Sequence, residues 1–162
     1  MREPFRISSG QTYHRRILLL ELADGDRTIA WSECVAAEKP NYSPETIDTA
    51  RHALRSWLIP AVLERAFEHP SDVHRLLDAR VRGHPMAKAA LEMGCWELHA
   101  RIRGEPLAHL LGGTRDRVEV GISLGIEGSP EKLVEKARRA RDEGCRKIKI
   151  EPGSDYRFVT AV

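Results

Sequence analysis

Residues 118–150 show a strand, helix, strand pattern, and this order constrains the fold more than any other feature of the sequence. Apolar and polar or small residues alternate from 118 to 124, as in a strand with one buried face. Ser129 and Pro130 then begin an amphipathic helix, which Gly144 ends. A second alternating segment, 146–150, follows at once. Short loops between these segments predict a βα unit that leads into a parallel strand.

The second of these strands carries two lysines. Because successive side chains of a strand point to opposite faces, Lys147 and Lys149 share one face, and Ile148 and Ile150 share the other. Mutual repulsion and burial both lower the pKa of an ammonium group, which suits a lysine to general-base catalysis near neutral pH. The alternative is an edge strand with its basic face in water, since edge strands often carry lysine.

The position of these lysines along the strand favours catalysis. Active sites of parallel sheets lie at the carboxyl ends of the strands. Lys149 lies near such an end, and Ser123 lies near the end of the preceding strand. Both are on the side opposite the apolar positions, which is the interior side in a βα barrel. We therefore expect Lys147, Lys149 and Ser123 to line a common site.

The earlier part of the chain has the pattern of a separate α+β domain. Segments 14–22 and 28–35 are strand-like and are joined through Asp24-Gly25, a typical hairpin signal. Segments 5–13 and 36–44 are predicted to be loops, the first of them mobile.

Three helices are predicted to follow these strands. Ser43 is the expected N-cap of the first helix, and Pro60 should kink that helix. The second helix begins at Ser71. The third runs from about Pro85 to Arg103. Gly112-Gly113 marks a boundary, which predicts domains at 1–113 and 114–162.

Composition argues against several classes of function. With 26 basic and 24 acidic residues, the net charge of +2 gives no reason to expect nucleic acid or a membrane as partner. The basic positions on the helix after Pro130 read as a solvated face. The three cysteines and seven histidines have no metal-ligand spacing. No signal peptide or long apolar run is present, so a cytoplasmic location is expected.

Six segments match one family in its own order. They are 4–6 (PFR), 31–34 (WSEC), 83–93 (GHPMAKAALEM), 110–113 (LLGG), 121–126 (GISLGI) and 147–153 (KIKIEPG). The chain thus resembles the enolase superfamily, and within it most closely the o-succinylbenzoate synthase/N-acylamino acid racemase group. The resemblance implies an α+β capping domain followed by the first βαβ part of a (β/α) barrel.

The resemblance also implies an activity, the Mg²⁺-dependent removal of a proton α to a carboxylate in a small molecule. The reaction would be the synthase step of menaquinone biosynthesis or racemisation of an N-acylamino acid. Muconate cycloisomerases and dipeptide epimerases share the KxK motif and remain alternatives. An alternative of another class is a non-catalytic capping-domain protein that acts by association.

The family's site residues can be carried over at a few positions. Lys149 would be the acid/base catalyst, Lys147 its electrostatic support, and Ser123 a neighbour of the substrate. The residues expected to cap the pocket are Phe5, Ser9 and Tyr42. The Mg²⁺ ligands are expected beyond residue 162, and the intact protein is expected to be a homo-oligomer.

The length of the chain departs from the family pattern. A βα barrel takes about 250 residues, but only about 45 follow Asp116. We therefore expect the chain to be an amino-terminal fragment that is inactive alone.

Overall fold

A computed structural model describes residues 3–8, 10–151, 155 and 157–160. It divides into two compact units: the helical unit, Arg16–Thr114, and the βαβ unit, Met1–Arg15 with Arg115–Val162. The predicted boundary at Gly112-Gly113 falls next to this division, but the amino-terminal segment groups with the βαβ unit. The assignment of whole domains at 1–113 and 114–162 stays a prediction.

The described elements follow one another along the chain as short strands and helices. Their bounds are β1 (Phe5–Ile7), β2 (Gly10–Thr12), β3 (Leu18–Ala23), β4 (Ile29–Cys34), α1 (Ile47–Ala53), a π-helical segment (Leu54–Leu58), α2 (Ile59–Leu63), α3 (Ser71–Arg80), α4 (Pro85–Arg103), α5 (Leu107–Leu110), β5 (Gly121–Leu124), α6 (Pro130–Asp142), β6 (Lys147–Ile150) and α7 (Arg157–Thr160). None of the helices in the described ranges is long and apolar enough to cross a membrane.

Strands β3 and β4 form the predicted antiparallel hairpin, which is confirmed. The side chain of Asp24 accepts hydrogen bonds from the N–H groups of Asp26 and Thr28, at 3.0 and 2.7 Å. The left-handed residue of the turn is Arg27, with φ of 66°, rather than Gly25. The turn is therefore set by the aspartate side chain.

The first helix begins later than predicted. Thr46, not Ser43, is its N-cap, and Thr46 forms a capping box with Thr49. Ser43 instead accepts a hydrogen bond from the N–H of Glu45 at 3.2 Å. The reason is tertiary, because the carboxylate of Glu45 is buried and bonded to the start of α4.

Pro60 is predicted to kink the first helix, and the structure shows a wider, π-helical turn just before it. The segment before it is π-helical, and the N–H of Ile59 donates to the carbonyl of Leu54, five residues back. Proline lacks an N–H and its ring crowds the preceding turn, so the wider turn accommodates it. The chain then continues as α2, with Pro60 in the first turn.

Helix α3 begins at Ser71 as predicted, but it ends at Arg80, so Val81, predicted to be helical, is extended. Helix α4 begins and ends as predicted, with Gly104 (φ of 66°) at its end. Both helices pack with the hairpin around one apolar core. Its fully buried members include Cys34, Ala50, Leu58, Val73, Leu77, Ala87 and Ala90. Lys88 is also buried, and its Nζ lies 2.8 Å from Asp78 Oδ1.

The Lys88–Asp78 pair should make the stability of the helical unit depend on acid pH. Lys88 lowers the pKa of Asp78 below its usual 3.8. A depressed carboxyl pKa adds stability that is complete above the unfolded value and lost as the pH falls through the folded value. Unfolding in urea should therefore show wild type more stable than Asp78→Asn at pH 6, with the gap closing between about pH 4 and pH 2. A gap that is unchanged at low pH would contradict the pairing.

The amino-terminal segment predicted to be a loop contains a small hairpin. Strands β1 and β2 are antiparallel, and Phe5 pairs with Thr12, Arg6 with Gln11, and Ile7 with Gly10. The loop prediction for 5–13 is therefore wrong. Two strands of three residues have too few alternating positions to stand out as a pattern.

In the βαβ unit, β5 and β6 are parallel and α6 connects them, as predicted. Ser129 caps α6 by accepting from the N–H of Lys132. Strand β5 is shorter than predicted, because it pairs only along the four residues of β6. Val118 and Val120, predicted to be on its buried face, are 70% and 60% exposed.

Candidate active site

The two predicted lysines and the predicted serine lie on one face of the parallel pair. In register, Ser123 is opposite Lys149 and Gly121 is opposite Lys147. Neighbouring strands are about 4.8 Å apart. The side chains of Ser123 and Lys149 therefore start from adjacent points at the carboxyl end of the pair.

The opposite face of the pair is apolar and is covered by α6 and α7. Leu124, Leu133, Ala137 and Phe158 form the core there. The isoleucines that alternate with the lysines pack against this core. The lysine face is therefore directed away from the helices, which confirms the facial assignment made from the alternation. Both lysines and Ser123 are exposed.

Gly121 leaves no room for a side chain beside the first lysine. A Cβ atom at Gly121 would lie 2.7 Å from the carbonyl oxygen of Lys147 and 3.0 Å from its Cβ. The first distance is shorter than real Cβ contacts and the second is tighter than most of them, so a larger residue would push β6 away. The spacing of the two strands at the lysine face thus depends on glycine.

The hairpin of β1 and β2 lies against the segment that follows β5. The N–H of Ile126 donates to the carbonyl of Arg6 at 2.7 Å. A Cβ atom at Gly125 would lie 3.3 Å from Phe5 Cδ2 and 2.6 Å from the same Arg6 carbonyl. Phe5, predicted to cap the pocket, is therefore placed at the carboxyl end of the strand that carries Ser123.

A bridging lysine adds an ionic contact to this junction. The Nζ of Lys136, on α6, lies 2.6 Å from Glu3 and 2.8 Å from Glu127. Hydrogen bonds to Glu127, the larger effect, and to Glu3 raise the pKa of Lys136. The hydrogen bond from Lys136 in turn lowers the pKa of Glu3. Lys136 and Glu3 are thus both charged at neutral pH.

Two other residues, Ser9 and Tyr42, are predicted to cap the pocket. Ser9 lies outside the described residues. Tyr42 belongs to the helical unit, in the segment between β4 and α1, where it is 95% exposed. The roles of both residues stay predictions.

Several residues around the parallel pair and its contact with the hairpin were not identified from the sequence. They are Glu3, Arg6, Gly121, Gly125, Glu127 and Lys136. The two glycines could have been identified, since glycine within or beside a strand often marks a close approach of another backbone. The ion pair of Lys136 with Glu3 could not, because the two residues are far apart in sequence.

The described residues do not form a magnesium site. Mg²⁺ takes oxygen ligands, usually including carboxylates. No group of three or more histidine, cysteine, aspartate or glutamate residues suited to a metal occurs among residues 3–8, 10–151, 155 and 157–160. The described residues therefore do not fit the ion by themselves.

Comparison with known proteins identifies the family. A family model described as the mandelate racemase / muconate lactonizing enzyme N-terminal domain matches residues 1–112. The chain belongs to this family. The domain it describes is the amino-terminal capping domain of the enolase superfamily, so the resemblance read from the six segments is confirmed.

Two curated relatives match almost the whole chain. It is 39% identical over 163 residues to an o-succinylbenzoate synthase of Bacillus subtilis, covering 100% of this chain and 44% of the relative. It is 42% identical over 160 residues to an N-succinylamino acid racemase of Thermus thermophilus, covering 98% and 43%. The chain therefore spans less than half the length of these relatives.

A solved structure shares the fold. A crystal structure of an enolase-superfamily member from Listeria innocua superimposes with a TM-score of 0.87 at 28% identity. The superposition covers 98% of this chain and 43% of that one.

Proposed function

We propose that this chain is the amino-terminal part of an enzyme that removes the proton α to a carboxylate. The reaction is that of an o-succinylbenzoate synthase or an N-acylamino acid racemase. Support comes from the family and from relatives with these activities in their names. The remainder of a (β/α) barrel and the Mg²⁺ ligands would come from residues outside those described.

The observation that carries the proposal is the pairing of Ser123 with Lys149 on the face turned away from α6. A neutral Lys149 Nζ can take a proton from the substrate carbon, so that the C–H bond breaks and an N–H bond forms. Reversal of this step returns the proton. Both directions are general acid–base catalysis.

The other two groups on this face suit substrate binding. Lys147 carries a positive charge on the same face, which attracts a carboxylate. The Ser123 hydroxyl can both donate and accept a hydrogen bond. An anionic substrate would thus be drawn to the end of β5 where Lys149 lies.

The association alternative rests on a different observation. The sheet of β5 and β6 has two strands, so its outer edges carry no ladder within the described residues. Val118 and Val120 are exposed beside one of them. Unpaired edges and apolar residues favour contact with another chain.

The proposed activity can be tested with the complete protein in deuterated water. Incubation with an N-succinylamino acid should replace the Cα hydrogen by deuterium, which proton NMR detects as loss of the Cα–H signal. Racemisation should accompany exchange if a second group on the other side of the pocket returns the proton. Dehydration to o-succinylbenzoate is followed separately. A protein that gives neither exchange nor dehydration would contradict the proposal and favour association.

A further inference from the structure

We propose that Gly125 and Lys136 are positioning residues that dock the hairpin of β1 and β2 at the carboxyl end of β5, and so set the affinity for substrate. The kinetic part of this inference rests on the proposed function. The docking part rests on contacts within the βαβ unit alone. Neither residue touches the proposed reacting atoms.

The hairpin and the segment after β5 share a backbone contact. The carbonyl of Arg6 accepts from the N–H of Ile126 at 2.7 Å. A Cβ at Gly125 would lie 2.6 Å from that oxygen and 3.3 Å from the nitrogen of Arg6. The obstructing atoms are backbone atoms, which cannot move aside by a change of rotamer. Only glycine at 125 therefore permits this hydrogen bond in its present geometry.

An ionic bridge joins the same segments. Lys136 binds Glu3, which precedes β1, and Glu127, which follows β5. One ammonium group thus joins the hairpin, the loop after β5 and helix α6. The side chain of Glu127 is only 17% exposed, so this half of the bridge is shielded from solvent. The basic residues of α6, taken from the sequence alone, predict only a solvated face.

The docked hairpin lies close to the proposed substrate-binding serine. Gly125 is two residues beyond Ser123, so the hairpin lies directly beside the end of the strand that carries the proposed substrate-binding serine. Phe5 and Ile7 share a face of β1 and are 37% and 38% exposed. Displacing the hairpin would move this apolar pair, while Lys149 would keep its place on β6. Substrate affinity should suffer more than proton transfer.

The experiment compares Gly125→Ala with Gly128→Ala in the complete protein. Gly128 lies in the same loop, and a Cβ there would meet no atom within 4 Å. Lys136→Met removes the bridge without adding a clash, and Lys136→Arg is its conservative rescue. Lys132→Met, at an exposed position of the same helix, is the control for loss of charge. The readouts are amide exchange at Ile126, and kcat and KM for an N-succinylamino acid.

Gly125→Ala should speed exchange at Ile126 about tenfold and raise KM about tenfold, with kcat changed less than about threefold. Lys136→Met should act in the same direction and more weakly, and Lys136→Arg should restore both readouts. If the Ile126 amide exchanges no faster in Gly125→Ala than in Gly128→Ala, the docking is overturned. If it exchanges faster but KM is unchanged, or kcat falls as much as KM rises, the link to substrate affinity is overturned.

Two further results are also decisive. If Gly125→Ala does not fold, the comparison of Lys136→Met with Lys132→Met decides the matter, because neither adds a clash. If the wild-type protein turns over no substrate, the proposed function fails, and exchange at Ile126 alone confirms or overturns the docking.

Discussion

Replacing Lys149 with alanine in the complete protein will lower kcat for α-proton exchange by about a thousandfold, in the middle of the range for loss of a general acid–base group. The change removes the only proposed proton acceptor at the end of β6. It should cost little stability, because Lys149 is exposed in this chain and the core of the unit lies on the other face. Deuterium exchange gives the rate, and circular dichroism checks the fold.

Two matched variants separate chemistry from charge. Lys149→Arg keeps a cation but supplies no base at neutral pH, so it should be almost as inactive as the alanine variant. Lys147→Met removes the neighbouring charge and keeps the base, so it should lose activity less severely. Normal kcat in Lys149→Ala, or recovery in Lys149→Arg, would show that another group takes the proton.

The parts of the fold that the sequence predicted correctly are those governed by local signals. Helix α4 has proline in its first turn and a left-handed glycine at its end, and α6 has a serine cap. The lysine face followed from the period of two in a strand. Each of these signals lies within the element that it defines or directly beside it.

The parts that sequence reasoning missed depend on distant partners. Strand β5 is short because its only partner within the described residues spans four residues. The hairpin at residues 5–12 lies against Gly125 and Ile126, more than a hundred residues away. The contacts that place Phe5 beside Gly125, just after the strand that carries Ser123, are therefore absent from any local pattern.

The late start of α1 has the same kind of cause and leads to a prediction of stability. Glu45 is 3% exposed and accepts hydrogen bonds from the N–H groups of Met86 and Ala87, at 2.7 and 3.0 Å. These donors are in the first turn of α4, where helical N–H groups have no partner in the helix itself. A carboxylate there also interacts favourably with the positive end of the helix dipole.

Glu45→Ala should therefore lower the free energy of unfolding by about 2–4 kcal/mol. The change removes the charged acceptor of two N–H groups, one of them buried, and leaves both without a hydrogen bond. Glu45→Gln keeps an acceptor and should lose less. Glu64→Ala is the matched control, because the Glu64–Arg80 pair at 2.8 Å is largely exposed and should contribute below about 1 kcal/mol. Urea unfolding of the three variants measures the difference. Equal losses of unfolding free energy in Glu45→Ala and Glu64→Ala would mean that water replaces the carboxylate at the start of α4. The segment that carries Tyr42 would then be held by its other contacts. These are the Ala37–Thr46 bridge and the pairing of Arg16 with Glu38 and Asp48.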